Sequence, residues 1–270
     1  MRWVPEMYVC PKCKGPLHEG RCAACQLEFP VVEGIPCFLS DSGDVGQKLR
    51  QIYDDIYRHH EDVWIDQGRS DNFMNYFTTV VDAAAGERIL EIGCGEGQLL
   101  AKFAGQKRYG IDPSIQALMR AKARSGAECA VARAEELPFP SDSFDLAISV
   151  GVMEHFADPA SATAEIRRVL KPGGRYVVLI QTDMSSFQRA RLKAREYIYP
   201  RFRPIALLKW LQKKMLHPIV QPLRRSYTLD SARTCLEESG LKTASLITTR
   251  SHPHAPLAGD HVAIFTSRKT

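Results

Sequence analysis

The run Arg88-Ile-Leu-Glu-Ile-Gly-Cys-Gly-Glu-Gly97 decides the fold. Ile89, Leu90 and Ile92 make an apolar, β-branched stretch of the length and kind expected of a buried strand. Gly93, Gly95 and Gly97 follow at alternate positions. Such glycines allow positive φ and let the backbone approach a ligand with no Cβ in the way. Leu99, Leu100 and Phe103 predict a helix directly afterwards. Strand, glycine turn and helix in that order place a ligand at the carboxyl end of a strand in an open α/β sheet. The spacing is G-x-G-x-G, not the G-x-G-x-x-G of dinucleotide folds, and on these residues alone a tight turn in some other α/β domain stays open.

Lys107 to Ile111 reads as the next strand and ends at Asp112. An acidic side chain about twenty positions past the glycine turn suits the two hydroxyls of a ribose. RILEIGCGEG and GIDPS together resemble the first two motifs of the class I S-adenosylmethionine-dependent methyltransferases of the type 11 kind. The resemblance implies a seven-stranded, doubly wound, mostly parallel α/β sheet in the order 3-2-1-4-5-7-6, with the last strand antiparallel. It implies cofactor contacts from Glu91, Gly93, Cys94, Gly95, Asp112 and Pro113, and from Ala134, Glu135 and Val150 further on. Ala134 to Phe139, AEELPF, resembles the family's D-A-E-x-L-P-F, whose Asp accepts the adenine amine. Arg133 stands at the place of that Asp, which leaves Glu135 or backbone carbonyls for the role. Gly151-Val-Met-Glu154-His155 resembles the E-V-L-E-H of ubiquinone-pathway O-methyltransferases, where two Glu and a His hold a divalent cation. Gly151 replaces the first Glu, so that site lacks a ligand. His155 is then a candidate general base, with a loop-orienting histidine as the alternative. Arg167 to Val178, RRVLKPGGRYVV, is also typical of the family.

The chain has 270 residues, 44% of them apolar and 25% charged, with a net charge of +5. That suits one α/β domain with a small appendage. No run of eighteen apolar residues occurs, and MRWVPEMYVC has no signal-peptide core. A cytoplasmic protein is therefore expected, in which clustered cysteines mean metal before disulfide. Cys10-x2-Cys13 and Cys22-x2-Cys25, with a short connector, suit a closed tetrahedral thiolate cage for structural zinc. Residues 1–40 thus read as a zinc ribbon. It resembles the ribbons of the rRNA guanine-N1 methyltransferases and of the small activator subunit of tRNA methyltransferases. Cys37 reads as a packed apolar residue.

Residues 41–85 read as a polar linker, Asp41 to Gly46, and two N-terminal helices. The first carries Leu49, Ile52, Tyr53, Ile56 and Tyr57, and the second starts at Ser70 with Phe73, Met74, Phe77 and Val81. In the resembling family such helices cover the cofactor, so Tyr53, Tyr57 and Tyr76 are candidate pocket contacts. Residues 86–270 read as the methyltransferase domain, interrupted at 184–226 by a basic, aromatic-rich, proline-broken insert. The stripe Leu207, Leu208, Leu211, Met215 and Leu216 favours a lid over the active-site mouth, with peripheral membrane or RNA contact as further expectations. The reading favoured is in-line methyl transfer to a small-molecule or lipid-like acceptor. A zinc-ribbon RNA methyltransferase is the alternative, and a non-enzymatic domain that docks through its ribbon is the third.

Overall fold

The computed structural model describes residues 7–39, 44–60, 71–182, 225–248, 251 and 262–270. Two short antiparallel pairs come first, β1 (Arg21–Cys22) with β2 (Leu27–Glu28), and β3 (Val31–Val32) with β4 (Ile35–Pro36). Helices α1 (Asp44–His59) and α2 (Asp71–Val81) follow, so Asp44 to Gly46 continue a helix where a linker was expected. Then come β5 (Arg88–Ile92), β6 (Lys107–Asp112), α3 (Ile115–Ser125), β7 (Glu128–Val131) and β8 (Phe144–Val150). Helix α4 (Pro159–Val169), β9 (Leu170–Gln181), α5 (Leu229–Glu238), β10 (Leu241–Thr248) and β11 (Val262–Lys269) complete the order. The described part of the expected insert is limited to its last two residues, Arg225 and Ser226; its aliphatic stripe, like Ser70, lies outside the described residues.

The seven-stranded sheet runs β7-β6-β5-β8-β9-β11-β10, which is the expected 3-2-1-4-5-7-6. β5 pairs in parallel with β6 and β8, and β11 runs antiparallel to both of its neighbours. Strand order therefore reverses at β5, the topological switch point where open α/β sheets bind ligands. Alternation along the strands divides the core. Ile89, Leu146, Ile148 and Val177 face one side with Phe73, Met74, Phe77 and Val81 of α2. Leu90, Ile92, Ala147 and Val178 face the other with α4 and α5. Helix α2 is thus a layer of the core and not a cap on the cofactor cleft, and Tyr76 packs against that same cluster.

Local signals set the helix ends. Ser114 caps α3 by accepting from the Ala117 amide, and Gly126 closes it in the left-handed region. Asp158 caps α4 ahead of Pro159, and Thr228 with Ser231 forms a capping box on α5. Helix α4 ends at Val169, and Lys171 to Gly174 belong to the beginning of β9. The helix expected after the glycine turn is only a single 3-10 turn, Leu100–Lys102. Residues 93–106 are all that connect β5 to β6, and the glycine turn uses the first of them.

The cysteine-bearing segment is built into the sheet. Phe38 donates its N–H to the Val131 carbonyl at 2.7 Å, and Cys37 bridges Val131 in parallel, so the segment extends the β7 edge. Val9 donates to the Pro138 carbonyl at 3.0 Å. Aromatic rings continue the junction inward: Phe29 meets Phe38, Phe38 meets Tyr8, Tyr8 meets Phe139, and Phe139 meets Phe144 edge-on at 4.9 Å. Cys37 is buried among Ile35, Cys94 and Val131, as an apolar packing residue would be. Among the described residues no helix is long and apolar enough to cross a membrane.

Candidate functional site

A cleft opens at the carboxyl ends of β5, β6 and β8, where open α/β sheets bind ligands. Its floor is Ile92, Gly93, Asp112 and Pro113, and one wall is Ala132 to Glu135. Gly151, Val152, His155 and Phe156 form the opposite wall, and Leu49, Tyr53 and Tyr57 of α1 cover it. Gly93 is needed here on two counts. Its φ is +66°, and a Cβ would lie 2.6 Å from Val152 Cγ2, where the two loops meet. Gly97, at φ +73°, lets the same turn pack beneath α3, since its Cβ would come within 2.9 Å of the Ala121 Cα.

Asp112 is buried and its carboxylate is held from both sides. Oδ2 accepts the Gly95 amide at 3.0 Å and Oδ1 the Ser114 amide at 2.9 Å. The carboxylate is thereby fixed at the edge of the cleft, joined to the glycine turn on one side and the α3 N-terminus on the other.

Of the residues expected to touch a cofactor, Gly93, Asp112, Pro113, Ala134 and Glu135 line the cleft, as does His155. Glu91, Cys94, Gly95 and Val150 are not among the lining residues. Glu91 alternates with Ile92 and so shares the Ile89 face of β5. Val150 is buried in the cluster beneath α2. Cys94 fills the space left at Gly110, where a Cβ would lie 2.7 Å from its Sγ, and burial pushes its thiol pKa up. Gly95 acts on the site through its amide to Asp112.

The Arg133 substitution is absorbed locally. Arg133 Nε pairs with Glu135 Oε2 at 3.2 Å, and Glu135 Oε1 accepts the Ala157 amide at 2.7 Å. Glu135 is therefore engaged on both oxygens and ties the two walls of the cleft together. Arg225 braces the second wall, donating to the Ala157 carbonyl at 2.8 Å and, from its backbone, to the Glu154 carbonyl at 2.7 Å. Glu154 is buried and accepts the Gln181 amide through Oε1. It is thus anchored to β9, while His155, one residue on, lines the cleft.

Tyr53 and Tyr57 of α1 both line the cleft. Burial, and then the nearby Asp112 charge, push the Tyr53 phenol well above its ordinary range, so it remains a neutral hydroxyl. Leu49, Arg133, Val152 and Phe156 also line the site and were not singled out as contacts from sequence. Leu49 and Phe156 lie outside the motifs, while Arg133 and Val152 sit within or beside them at positions given no contact; the folded sheet edge brings all four together.

Cys10, Cys13, Cys22 and Cys25 form a cluster with all four Sγ atoms within 4.8 Å of one another. None is in a disulfide, and Cys13 Sγ lies 3.4 Å from Cys22 Sγ. A tetrahedral zinc with Zn–S bonds of about 2.3 Å needs sulfurs about 3.8 Å apart, so the set fits a closed thiolate site. The Gly15 amide, and then hydrogen bonds from neighbouring thiols, lower Cys13 to about 7; sharing with Cys13, and then burial, raises Cys25 to about 12. Four sulfurs this close resist ionising together without a cation between them.

Residues 90–178 match the family described as a methyltransferase domain. The chain is 38% identical over 109 residues to the ubiquinone/menaquinone biosynthesis C-methyltransferase UbiE of Vibrio vulnificus, covering 36% of this chain and 42% of that protein. It is 31% identical over 169 residues to the ubiquinone biosynthesis O-methyltransferase of Bradyrhizobium sp., covering 60% of this chain and 64% of that protein. The chain thus spans less than two thirds of the length of these curated relatives. Among solved structures, an S-adenosylmethionine-dependent methyltransferase from Thermotoga maritima shares the fold with a TM-score of 0.57 at 20% identity, covering 82% of this chain and 99% of that one. The [4+2]-cyclase SpnF shares it at 0.58 and 20% identity, covering 83% and 96%. Residues 90–178 thus match a methyltransferase domain, set in a seven-stranded sheet of the class I, Rossmann-like order.

Proposed function

We propose that this protein transfers the methyl group of S-adenosylmethionine to a small, largely apolar acceptor, and that the four-cysteine cluster holds a structural zinc. The observation that carries the first reading is Asp112, fixed by two backbone amides at the edge of a cleft whose floor includes Gly93. When bound, the cofactor supplies a methyl on a sulfonium, which is already a good leaving group. The chain's task is then to align the acceptor and exclude water.

The Asp112 carboxylate, fixed at the edge of the cleft, meets the ribose hydroxyls, and the bare Gly93 backbone admits the cofactor close to the strand end. Because Glu135 is paired with the Arg133 cation, the adenine amine meets backbone carbonyls of the Ala132 to Ala134 wall instead of an acidic side chain. Leu49, Tyr53 and Tyr57 shut out water from above. Val152 and Phe156 give the acceptor an apolar wall, and His155 takes the proton released as the acceptor attacks. The quinone-pathway relatives support an acceptor of hydroquinone type, with an apolar body and one ionisable nucleophile.

Calorimetry with S-adenosylhomocysteine tests the cofactor site. Asp112→Ala is expected to lose about 1.5–3 kcal/mol per hydrogen bond to the carboxylate, and unchanged affinity would sink the assignment. With a radiolabelled methyl donor and hydroquinone acceptors, His155→Gln is expected to lower kcat by roughly 10²–10⁴ while leaving S-adenosylhomocysteine affinity intact. Elemental analysis should find one zinc per chain, and none in Cys22→Ser. A zinc-free wild-type protein with its N-terminal segment still ordered would rule the metal out.

A further inference from the structure

Helix α1 supplies the cover of the cleft, yet its apolar anchorage is small: Ile56 and Tyr57 pack on Ala117, with Ile52 and Tyr53 beside them. Polar contacts place it. Asp54, buried on the inner face, accepts the Ser114 hydroxyl at 2.7 Å and the Gln116 amide at 3.2 Å through the same oxygen, Oδ1. Its other oxygen faces Arg50 Nε at 3.6 Å. The Asp54 carboxylate therefore sits on the N-terminus of α3, where backbone amides and the helix dipole favour an anion. Ser114 is also the residue whose amide holds Asp112 Oδ1, and Asp112 Oδ2 holds the Gly95 amide. Just past its C-terminus α1 is fixed again: Arg120 Nη1 donates to the His60 carbonyl at 3.1 Å and to Glu96 Oε1 at 2.7 Å, and fully buried Glu96 lies within the glycine turn.

We propose that Asp54 is a positioning residue of the cofactor site, which docks α1 through Ser114 and so couples the cover to the carboxylate that meets the ribose. This rests on the cofactor reading above. The line Asp54–Ser114–Asp112–Gly95 crosses from the cover to the glycine turn through side-chain and backbone hydrogen bonds of 2.7–3.0 Å. Closing α1 with Asp54 in place brings Tyr53 and Tyr57 over the cleft and fixes the hydroxyl of Ser114. Opening it removes one support from the Asp112 loop. Bound cofactor and docked α1 therefore stabilise each other, and by reciprocity the cofactor slows the opening of α1.

The test uses the full chain and S-adenosylhomocysteine as probe. Asp54→Ala should weaken binding about tenfold or more, chiefly through faster dissociation, while the melting temperature of the ligand-free protein moves little. Asp54→Asn keeps a carbonyl oxygen for Ser114 and Gln116, so it should recover most of the affinity. Wild-type affinity in Asp54→Ala, or equal losses in both variants, would overturn the assignment. Hydrogen exchange on the wild type gives a reading independent of either variant: probe binding should slow exchange across residues 44–60, and unchanged exchange there overturns the coupling. If the wild type does not bind the probe at all, the cofactor reading itself fails and this inference with it. Binding by the wild type with an indifferent Asp54→Ala refutes the inference alone.

Discussion

The cysteine segment and helix α1 lie close together in the chain, but they are held in opposite ways. Residues 7–39 join the largest apolar core through Tyr8, Cys10, Cys22, Phe29 and Phe38, and they add backbone hydrogen bonds to β7 and to Pro138. Helix α1 rests on a small cluster of its own and is placed mainly by Asp54, Arg50 and the His60 carbonyl. Burying apolar area is strong and unspecific, whereas a few hydrogen bonds are weak in net and geometrically exact. The contrast assigns permanence to the first element and reversible docking to the second. A cofactor has to enter beneath α1, so a low opening cost there is what function asks for.

The sharpest way to break this contrast is Phe38→Ala. Phe38 is 2% exposed and touches both Tyr8 and Phe29. Its truncation is expected to cost about 3–5 kcal/mol and to lower the single melting transition of the whole protein. Two transitions, with the sheet melting as before, would show that the cysteine segment is an independent unit. Ile56→Ala on α1 sharpens the other half. A fully integrated isoleucine would cost about 2–5 kcal/mol, but here the loss is capped by the free energy of undocking α1. Denaturant unfolding should therefore register less than for Phe38→Ala, while S-adenosylhomocysteine affinity falls. An effect on global stability as large as that of Phe38→Ala would erase the distinction.

The smallest expected effect concerns the ion pairs that fasten the cysteine segment to α4. Glu165 meets Lys14 Nζ at 2.6 Å and Arg168 Nε at 2.7 Å. Burial raises its pKa, but the bonds from Arg168 and Lys14 outweigh that and leave it lowered. A carboxylate lowered in the folded state adds stability above its unfolded pKa and loses it as pH falls through the folded one. Glu165→Gln should thus cost about 1 kcal/mol or less at neutral pH. Its stability should also depend less on pH than the wild type's below the ordinary glutamate range. Parallel acid profiles for the two proteins would assign the junction to apolar packing alone.

What could be read from the sequence was what local chemistry encodes. The glycine turn and Asp112 marked the centre of the sheet, because turns and strand ends act within a few residues. The four cysteines announced their cluster by spacing alone. What escaped reading depends on partners distant in the chain. Nothing near Asp54 announces Ser114, sixty positions on. The two N-terminal helices have similar aromatic stripes, and only the sheet decides that α2 becomes core while α1 becomes cover. Glu135 looked available for adenine until Arg133 and the Ala157 amide were seen to hold it. The short turn at Leu100 had the apolar spacing of a helix but not the length of chain.

The bridge from Cys37 and Phe38 to Val131 also bears on solubility. An exposed outer strand presents unpaired amides and carbonyls to any other extended chain, and folded proteins protect such edges from self-association. At β7 the protection is the N-terminal segment itself, which occupies the edge before another molecule can. The opposite edge, β10, relies on a register shift between Thr243 and Ser245 and on polar residues such as Lys242 and Thr243. A protein shortened to begin at α1 would keep every residue lining the cleft but lose the pairing on the outer edge of β7 at Val131. Concentration-dependent aggregation would appear in that shortened chain before any loss of cleft geometry.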